Sequence, residues 1–165
     1  MEAVVRVKTT REVENIVRAC AEFKKPVVPR GAGTGLEGGC VAYFGGVVLD
    51  MSLLKTMSMD EMQRTATVGA GVLKNELNTF LEPYGFIFGP DPSSNPSVGG
   101  MASTGGSGLS TLKYGTSKEN VVSMKVVTPK GECIETRRNV RKSSTGYELN
   151  ALFLGAEGTL GVITE

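Results

Sequence analysis

The chain has 165 residues, 40% of them hydrophobic and 21% charged, with a formal net charge of +1. That length suits one ordinary domain or two small α/β lobes, and the balance is that of a globular protein. So small a charge gives no electrostatic footprint for nucleic acid or an anionic membrane surface, and no apolar run nears the roughly 18 residues of a spanning helix.

Met1-Glu2-Ala3 leads almost at once into a strand, Val4–Val7. So abrupt a start, without a secretory or transit segment, reads as a domain that has lost its natural beginning. Thr9 and Glu12 have capping-box spacing, and Val13, Ile16, Val17 and Cys20 follow on one helical face. Lys24-Lys25-Pro26 ends that helix, with cations suited to its C-terminus. Val27-Val28 is a short strand, which completes a strand–helix–strand unit.

Pro29-Arg30-Gly31-Ala32-Gly33-Thr34-Gly35-Leu36-Glu37-Gly38-Gly39 then crowds glycine into a loop at a strand's carboxyl end, the edge where α/β sheets bind ligands. Glycine loses the most freedom on folding. A nest of main-chain N–H groups facing phosphate is one use that requires it. Other readings compete. Gly33, Gly35 and Gly38 match G-x-G-x-x-G, with Asp50 placed as a ribose-binding acid. The Rossmann fingerprint, however, needs a helix after the loop, and only Gly39 to Gly46 precede the next strand, Val47–Leu49. A crossover takes about a dozen residues or more. A P-loop fails because Gly35 is followed by Leu36-Glu37 instead of Lys and Ser/Thr. A merely flexible loop remains.

Leu53–Met57 connects to a second lobe, so residues 1–57 form an N-terminal lobe and 58–165 a C-terminal one. The second lobe opens with an alternating strand, Arg64–Gly69. A helix follows with Leu73, Leu77, Phe80, Leu81 and Tyr84 on one side, ended by Pro83-Tyr84-Gly85. Gly89 to Gly100 is a rigid, extended, proline-rich loop. Met101 to Gly108 is small enough to start a helix closely approached by something flat and large; a disordered linker is the alternative. Val121–Val127 is a strand, Thr128–Glu132 a turn and Cys133–Thr136 its hairpin partner. The basic run Arg137 to Lys142 reads as a solvated face, or as help for an anionic ligand. Tyr147 to Phe153 is a short amphipathic piece. Gly155 to Glu165 is a third glycine cluster that runs into a strand and stops mid-element.

Cys20, Cys40 and Cys133 are isolated and odd in number, which argues against a disulfide framework or a zinc site. The chain has no histidine, which removes the commonest general base and metal ligand. Redox or acid–base chemistry here would have to be carried by a bound cofactor.

The three glycine clusters in this order carry a resemblance. The Pro29–Gly39 stretch is joined by Gly99-Gly100-Met101-Ala102-Ser103-Thr104 through Gly108 and by Lys113-Tyr114-Gly115-Thr116. Arg141 to Tyr147 and Gly155 to Thr164 complete the set, which covers nearly the whole chain. The sequence resembles the FAD-binding domain of the vanillyl-alcohol oxidase / p-cresol methylhydroxylase family. Within it, the chain is most similar to the branch of cytochrome-linked D-lactate dehydrogenases and glycolate oxidase subunits. The resemblance implies an α+β (α/β) fold of PCMH type, two lobes with FAD between them.

Carried over by position, Pro29, Arg30, Gly31, Ala32, Gly33, Thr34 and Gly35 hold the pyrophosphate. Asp91 to Ser97, Gly99, Gly100, Thr104, Gly105, Gly106 and Ser107 line the cofactor. Glu157, Gly158, Gly161, Val162 and Ile163 close the far side. The resemblance implies oxidation of a D-2-hydroxy acid, D-lactate to pyruvate, by hydride transfer to flavin N5. Cytochrome c or another carrier accepts the electrons, and a eukaryotic member works in mitochondria, another in the cytoplasm. A non-catalytic flavin module and an ether-lipid synthase are the alternatives. Without histidine, FAD is expected to be held non-covalently. No catalytic residue is assigned, because in such proteins a cap domain supplies the base; the chain ends before one, and alone is expected to be inactive.

Overall fold

The computed structural model describes residues 1–138 and 140–165. Strand β1 (Ala3–Arg6) enters helix α1 (Thr10–Glu22) through Thr9, whose Oγ1 accepts from the Glu12 N–H at 3.2 Å. The reciprocal bond falls one residue out: the Glu12 carboxylate accepts from the Lys8 N–H at 2.6 Å. Val13, Val17 and Cys20 are the buried face, as their spacing requires. The two lysines do not serve the helix end. Lys24 takes a left-handed φ of 51°, and Lys25 Nζ reaches Glu2 Oε2 at 2.8 Å. Pro26 forces the residue before it out of helical geometry, so the helix stops earlier.

Strands β2 (Val27–Arg30) and β3 (Val47–Asp50) complete a parallel sheet of order β1-β3-β2. Val4 and Val28 both register on Val48, so the central strand is last in sequence. Strand β2 runs two residues further than its valines, through Pro29 and Arg30. A proline is tolerated there because β2 is an edge strand. Residues 31–46 contain no helix, and this glycine-rich segment is itself the parallel crossover. The Rossmann alternative therefore fails on its missing helix. Asp50 instead pairs with Arg6 Nε at 3.2 Å and accepts from the Ser52 N–H.

The hairpin of β4 (Met57–Asp60) and β5 (Thr65–Val68) follows. Nothing in Met-Ser-Met-Asp favours a strand intrinsically, and β4 forms because Met57 and Met59 pack on Val72, Leu77 and Leu81. Arg64, expected in the strand, sits in the turn at φ 53°. Helix α2 (Lys74–Leu81) continues through a short 3₁₀ turn, Glu82–Tyr84, to Gly85 at φ 72°. Its first turn is closed by Glu76, which accepts from the Leu73 N–H at 2.8 Å.

The loop over residues 85–97 ends in helix α3 (Val98–Thr104), followed by single turns α4 (Thr111–Tyr114) and α5 (Ser117–Asn120). Strand β6 (Lys125–Val127) then pairs antiparallel with β7 (Cys133–Glu135) and, beyond α6 (Leu149–Phe153), with β8 (Val162–Ile163). The strand expected from Val121 starts only at Lys125. The Asn150 amide takes the Val122 carbonyl at 2.6 Å, and the Met124 N–H donates to Thr136 Oγ1 at 2.9 Å. Side chains have captured the groups that a ladder would use. Of the basic run, Asn139 lies outside the described residues; Arg137 pairs with Glu148.

The main core joins Val7, Val13, Val17, Leu49, Met51 and Leu54 to Ala70, Val127 and Val162. It therefore draws on both sides of the expected lobe boundary, and that boundary falls at the first residues of β4.

Candidate functional site

The glycine loop leaves β2 with its main chain uncommitted. Among the described residues, the N–H groups of residues 31–37 make no hydrogen bond within the protein, and residues 32–37 are exposed. Unpaired donors in a row, on a stretch with small side chains, are what an anion nest requires. Gly33 takes a φ of +70°, in the left-handed region. The Arg30 side chain folds over it, with Nε and Nη2 3.0 Å from where a Cβ on Gly33 would stand. Arg30 forms no ion pair among the described residues. A free guanidinium therefore lies against the unpaired donors.

The second cluster meets this loop at Ser97. A Cβ on Gly31 would fall 1.9 Å from Ser97 Oγ, so the two segments touch without room for a methyl group. Ser97 is 2% exposed and caps α3, its Oγ accepting from the Gly100 N–H at 3.3 Å. The extended loop before it is fixed by α2. Lys74 Nζ donates to the carbonyls of Pro92 at 2.8 Å and Ser94 at 3.0 Å, and Asn95 Oδ1 accepts from the Asn75 N–H. Proline stiffness and the two Lys74 hydrogen bonds make this loop a rigid wall, not a linker.

The third cluster docks on the other end of α3. The Gly155 N–H donates to the Ala102 carbonyl at 3.1 Å and the Glu157 N–H to the Ser103 carbonyl at 2.8 Å. These carbonyls lie in the last turn of α3, where the helix leaves acceptor capacity; that of Ala102 also accepts from the Gly105 N–H. Glu157 takes a left-handed φ of 53° to make the bond. Gly158 turns back against β2, and a Cβ there would stand 3.2 Å from Pro29 Cγ. A seven-residue helix is only about 10 Å long, so all three clusters are gathered around it.

The expected site residues divide into two groups. Pro29 to Gly35, Ser97 and Glu157–Gly158 come together with their polar main chain accessible or shared between clusters. Others serve packing. Gly99 donates to the Ala70 carbonyl at 2.9 Å and sits where a Cβ would come 2.6 Å from Ala70 Cβ. Gly100 is held by Ser97, and the Thr104 hydroxyl donates back to the Gly100 carbonyl at 3.0 Å. Helix α3 begins three residues earlier than the sequence indicated, because Val98 and Gly99 bond to Val72 and Ala70. Gly105, at φ +64°, ends the helix; its N–H and that of Gly106 return to Ala102 and Met101. Ser107 is exposed beside them. Val162 and Ile163 lie in the core, and the half-buried Gly161 packs against it, where a Cβ would be 2.6 Å from Val126 Cγ1.

Asp91 binds Ser110 with both oxygens, from the N–H and from Oγ, each at 2.8 Å. The Ser110 main-chain and side-chain donors hold its carboxyl below the ordinary aspartate range. It thereby clamps the segment after α3 to the proline loop. The contacts of Asp91 with Ser110, of Pro29 with Gly158 and of Gly31 with Ser97 all escaped the sequence; close approach leaves a glycine as its trace but does not name the partner.

A cavity of about 890 Å³ lies between the β4–β5 hairpin and the Val121–Lys125 segment, and of the expected site residues Gly99 and Ile163 line it. None of the residues 29–35 and neither Ser97 nor Gly158 lines it. Size alone therefore does not mark this site.

Most of the chain is similar to known proteins. The family described as "FAD binding domain" matches residues 1–137. The chain is 44% identical to D-lactate dehydrogenase (cytochrome), mitochondrial, of Arabidopsis thaliana, across 99% of this chain and 29% of that protein. It is 38% identical to glycolate oxidase subunit GlcD of Bacillus subtilis, across 99% of this chain and 36% of that one. A solved structure of alkyldihydroxyacetonephosphate synthase superposes with a TM-score of 0.86 at 30% identity, covering 98% of this chain and 32% of its own. The chain thus spans about a third of the length of these relatives. With main-chain donors, a wrapped cation and three glycine clusters gathered at one helix, and with most of its length matched, the chain belongs to the FAD-binding domain family, and FAD is its cofactor.

Proposed function

We propose that this chain is the FAD-holding part of a flavin-dependent dehydrogenase of D-2-hydroxy acids, with D-lactate as substrate and pyruvate as product. The observation that carries the reading is the N–H row of residues 31–37, unpaired among the described residues, which leaves β2 where Gly31 meets Ser97 and Pro29 meets Gly158. Several D-lactate dehydrogenases at about 40% identity support the substrate.

In this reading the N–H groups of Gly31 to Gly35 bind the pyrophosphate, with Pro29 and Arg30 as its floor and cation. Asp91 to Ser97 and Thr104 to Ser107 position the flavin arm, Asp91 by holding the wall and Ser97 by capping α3. Glu157 to Ile163 close the opposite side, with Val162 and Ile163 acting through main chain. The bound flavin supplies two-electron redox chemistry, accepting hydride from the hydroxyl-bearing carbon. Proton removal from the hydroxy acid belongs to the rest of the protein; we assign no catalytic residue here. Cytochrome c or another carrier takes the electrons, and a eukaryotic member works in mitochondria. The chain has no histidine to form a histidyl link, and dissociable FAD is the binding mode of this reading.

The synthase structure keeps a second reading in play, a related FAD enzyme acting on an ether-lipid precursor. An absorbance spectrum of purified protein with added FAD, before and after D-lactate, separates the readings. A yellow protein bleached by D-lactate supports the dehydrogenase. A yellow protein that no hydroxy acid bleaches leaves a flavin-holding module or another FAD enzyme. A protein that stays colourless with FAD refutes the assignment of this site. Acid precipitation should release the flavin into solution.

A further inference from the structure

We propose that the cavity between the β4–β5 hairpin and the Val121–Lys125 segment is a slot for one more β-strand, and that its occupant is a stretch of the same polypeptide that continues β8 past Glu165. The proposal does not depend on the FAD reading.

Both walls of the cavity turn unpaired main chain inward. On one wall, the Gly69 N–H donates to the Thr56 carbonyl at 2.8 Å, and the ladder sets Ser58 opposite Thr67. Antiparallel pairs alternate between bonded and non-bonded. Thr67 therefore turns to β4, while Ala66 and Val68 turn away from it, toward the cavity that both line. Among the described residues no other main chain meets their N–H or carbonyl groups. On the other wall, Thr136 takes Met124, accepting its N–H on Oγ1 at 2.9 Å and donating its own N–H to the Met124 carbonyl at 3.0 Å. Ser123 faces the opposite way and lines the cavity. It makes no main-chain hydrogen bond among the described residues. All three residues are half-buried. Such a row of open donors and acceptors is what a missing neighbour strand leaves behind.

Strand β8 already enters the slot. The Thr164 N–H donates to the Lys125 carbonyl at 2.9 Å, and the Thr164 carbonyl accepts from the Ala70 N–H at 3.0 Å. The Glu165 carbonyl then accepts from the Lys125 N–H at 2.9 Å. Thr164 and Glu165 together oppose Lys125, which is a β-bulge. Beyond it the alternation is fixed. The first residue of a continuing strand meets Val68, the second Ser123 and the third Ala66, so each open group finds a partner. The two walls are in register for a single strand, antiparallel to both. A strand from another molecule would have to abut Glu165, whereas β8 runs straight into this register. Relatives have the length to supply it, since the chain spans 29% of the Arabidopsis D-lactate dehydrogenase.

The register also sets the side chains. Residues opposite each other share a face of the sheet. Ala66 and Val68 pack on Val72, Leu77 and Leu81, as does Val98 of α3, and Thr67 is exposed. The first and third residues of the occupant are therefore apolar and the second polar. Filled in this way, the slot joins β4–β5 and β6–β7 into one sheet and packs beneath the helix that gathers the glycine clusters.

The test appends four residues after Glu165 in three versions: Val-Thr-Val-Thr, the phase-shifted Thr-Val-Thr-Val, and Gly-Ser-Gly-Ser. Amide exchange at Ala66, Val68 and Ser123 and the thermal midpoint are compared with those of the unaltered chain. Val-Thr-Val-Thr should slow exchange at these amides by about tenfold or more and raise the midpoint by several degrees. A shift of one residue sends the valines to the other face, so Thr-Val-Thr-Val should do less, and Gly-Ser-Gly-Ser should do neither. Protection by Val-Thr-Val-Thr that is absent, or no larger than with the other two, overturns the slot. Protection that instead grows with the concentration of the unaltered chain, with a dimer on sizing, gives the slot to a second copy and overturns the choice of occupant.

Discussion

The contact of Gly31 with Ser97 offers the sharpest perturbation of the site. In Gly31→Ala the new Cβ would stand 1.9 Å from Ser97 Oγ and 3.0 Å from Ser97 Cβ. The hydroxyl can rotate away only by giving up the Gly100 N–H that it caps, and loss of a cap costs about 0.5–2 kcal/mol. The Cβ–Cβ contact cannot be relieved by rotation. Ser97 is buried and bridged to Leu73, so the loop itself must move outward, and overpacking of this kind costs about 1–3 kcal/mol. The variant should therefore lose about 1–3 kcal/mol in urea unfolding. FAD affinity should fall by tenfold or more, because about 1.4 kcal/mol of misplacement already gives that factor. The rescue decides the matter. Ser97→Gly removes both clashing atoms, and glycine at a cap position costs only a few tenths of a kcal/mol relative to serine. The double variant should recover most of the lost stability and FAD affinity, with a coupling energy above about 0.5 kcal/mol. Strictly additive losses, or a Gly31→Ala protein as stable as the parent, would refute the claim that these two clusters are locked together.

Further tests follow from the same geometry. Gly161→Ala drives a Cβ to 2.6 Å from Val126 Cγ1 and 2.9 Å from the Val127 carbonyl; it should lower the thermal midpoint by several degrees, corresponding to about 1–3 kcal/mol. Equal midpoints would show that β8 can shift freely. Asp91 has its carboxyl pK lowered by the Ser110 N–H and hydroxyl. Its contribution is therefore fully present above the ordinary aspartate value and is lost as pH falls through the lower folded value, below about pH 4. Asp91→Asn should remove this part of the acid-side loss and loosen the Gly108–Ser110 segment, read by hydrogen exchange; an unchanged acid profile would place the clamp elsewhere. Arg30→Gln should weaken FAD and flatten the salt dependence of its affinity while leaving riboflavin binding unchanged, because only the phosphates feel the guanidinium. Identical salt slopes in the two proteins would set Arg30 aside.

Much of the local structure was written in the sequence. The spacing of Val13, Val17 and Cys20 determined α1, the Thr9 hydroxyl its start, and the glycine clusters the places where backbone had to come close to something. Those are short-range properties, settled by side-chain period and by which residues tolerate a left-handed turn. Tertiary structure decided the rest. Strand β3 lies between β1 and β2 although it follows them, and β4 exists because Met57 and Met59 found the α2 core. The segment from Val121 to Met124 is not a strand, because Asn150 and Thr136 reached its main chain first. Helix α3 starts at Val98 because Ala70 and Val72 offer carbonyls there. Above all, only the folded chain joins Gly31 to Ser97 and Gly158 to Pro29. At Gly31 and Gly158 the atom that a Cβ would meet is contributed by residues far along the chain, and long-range pairing alone brings them together.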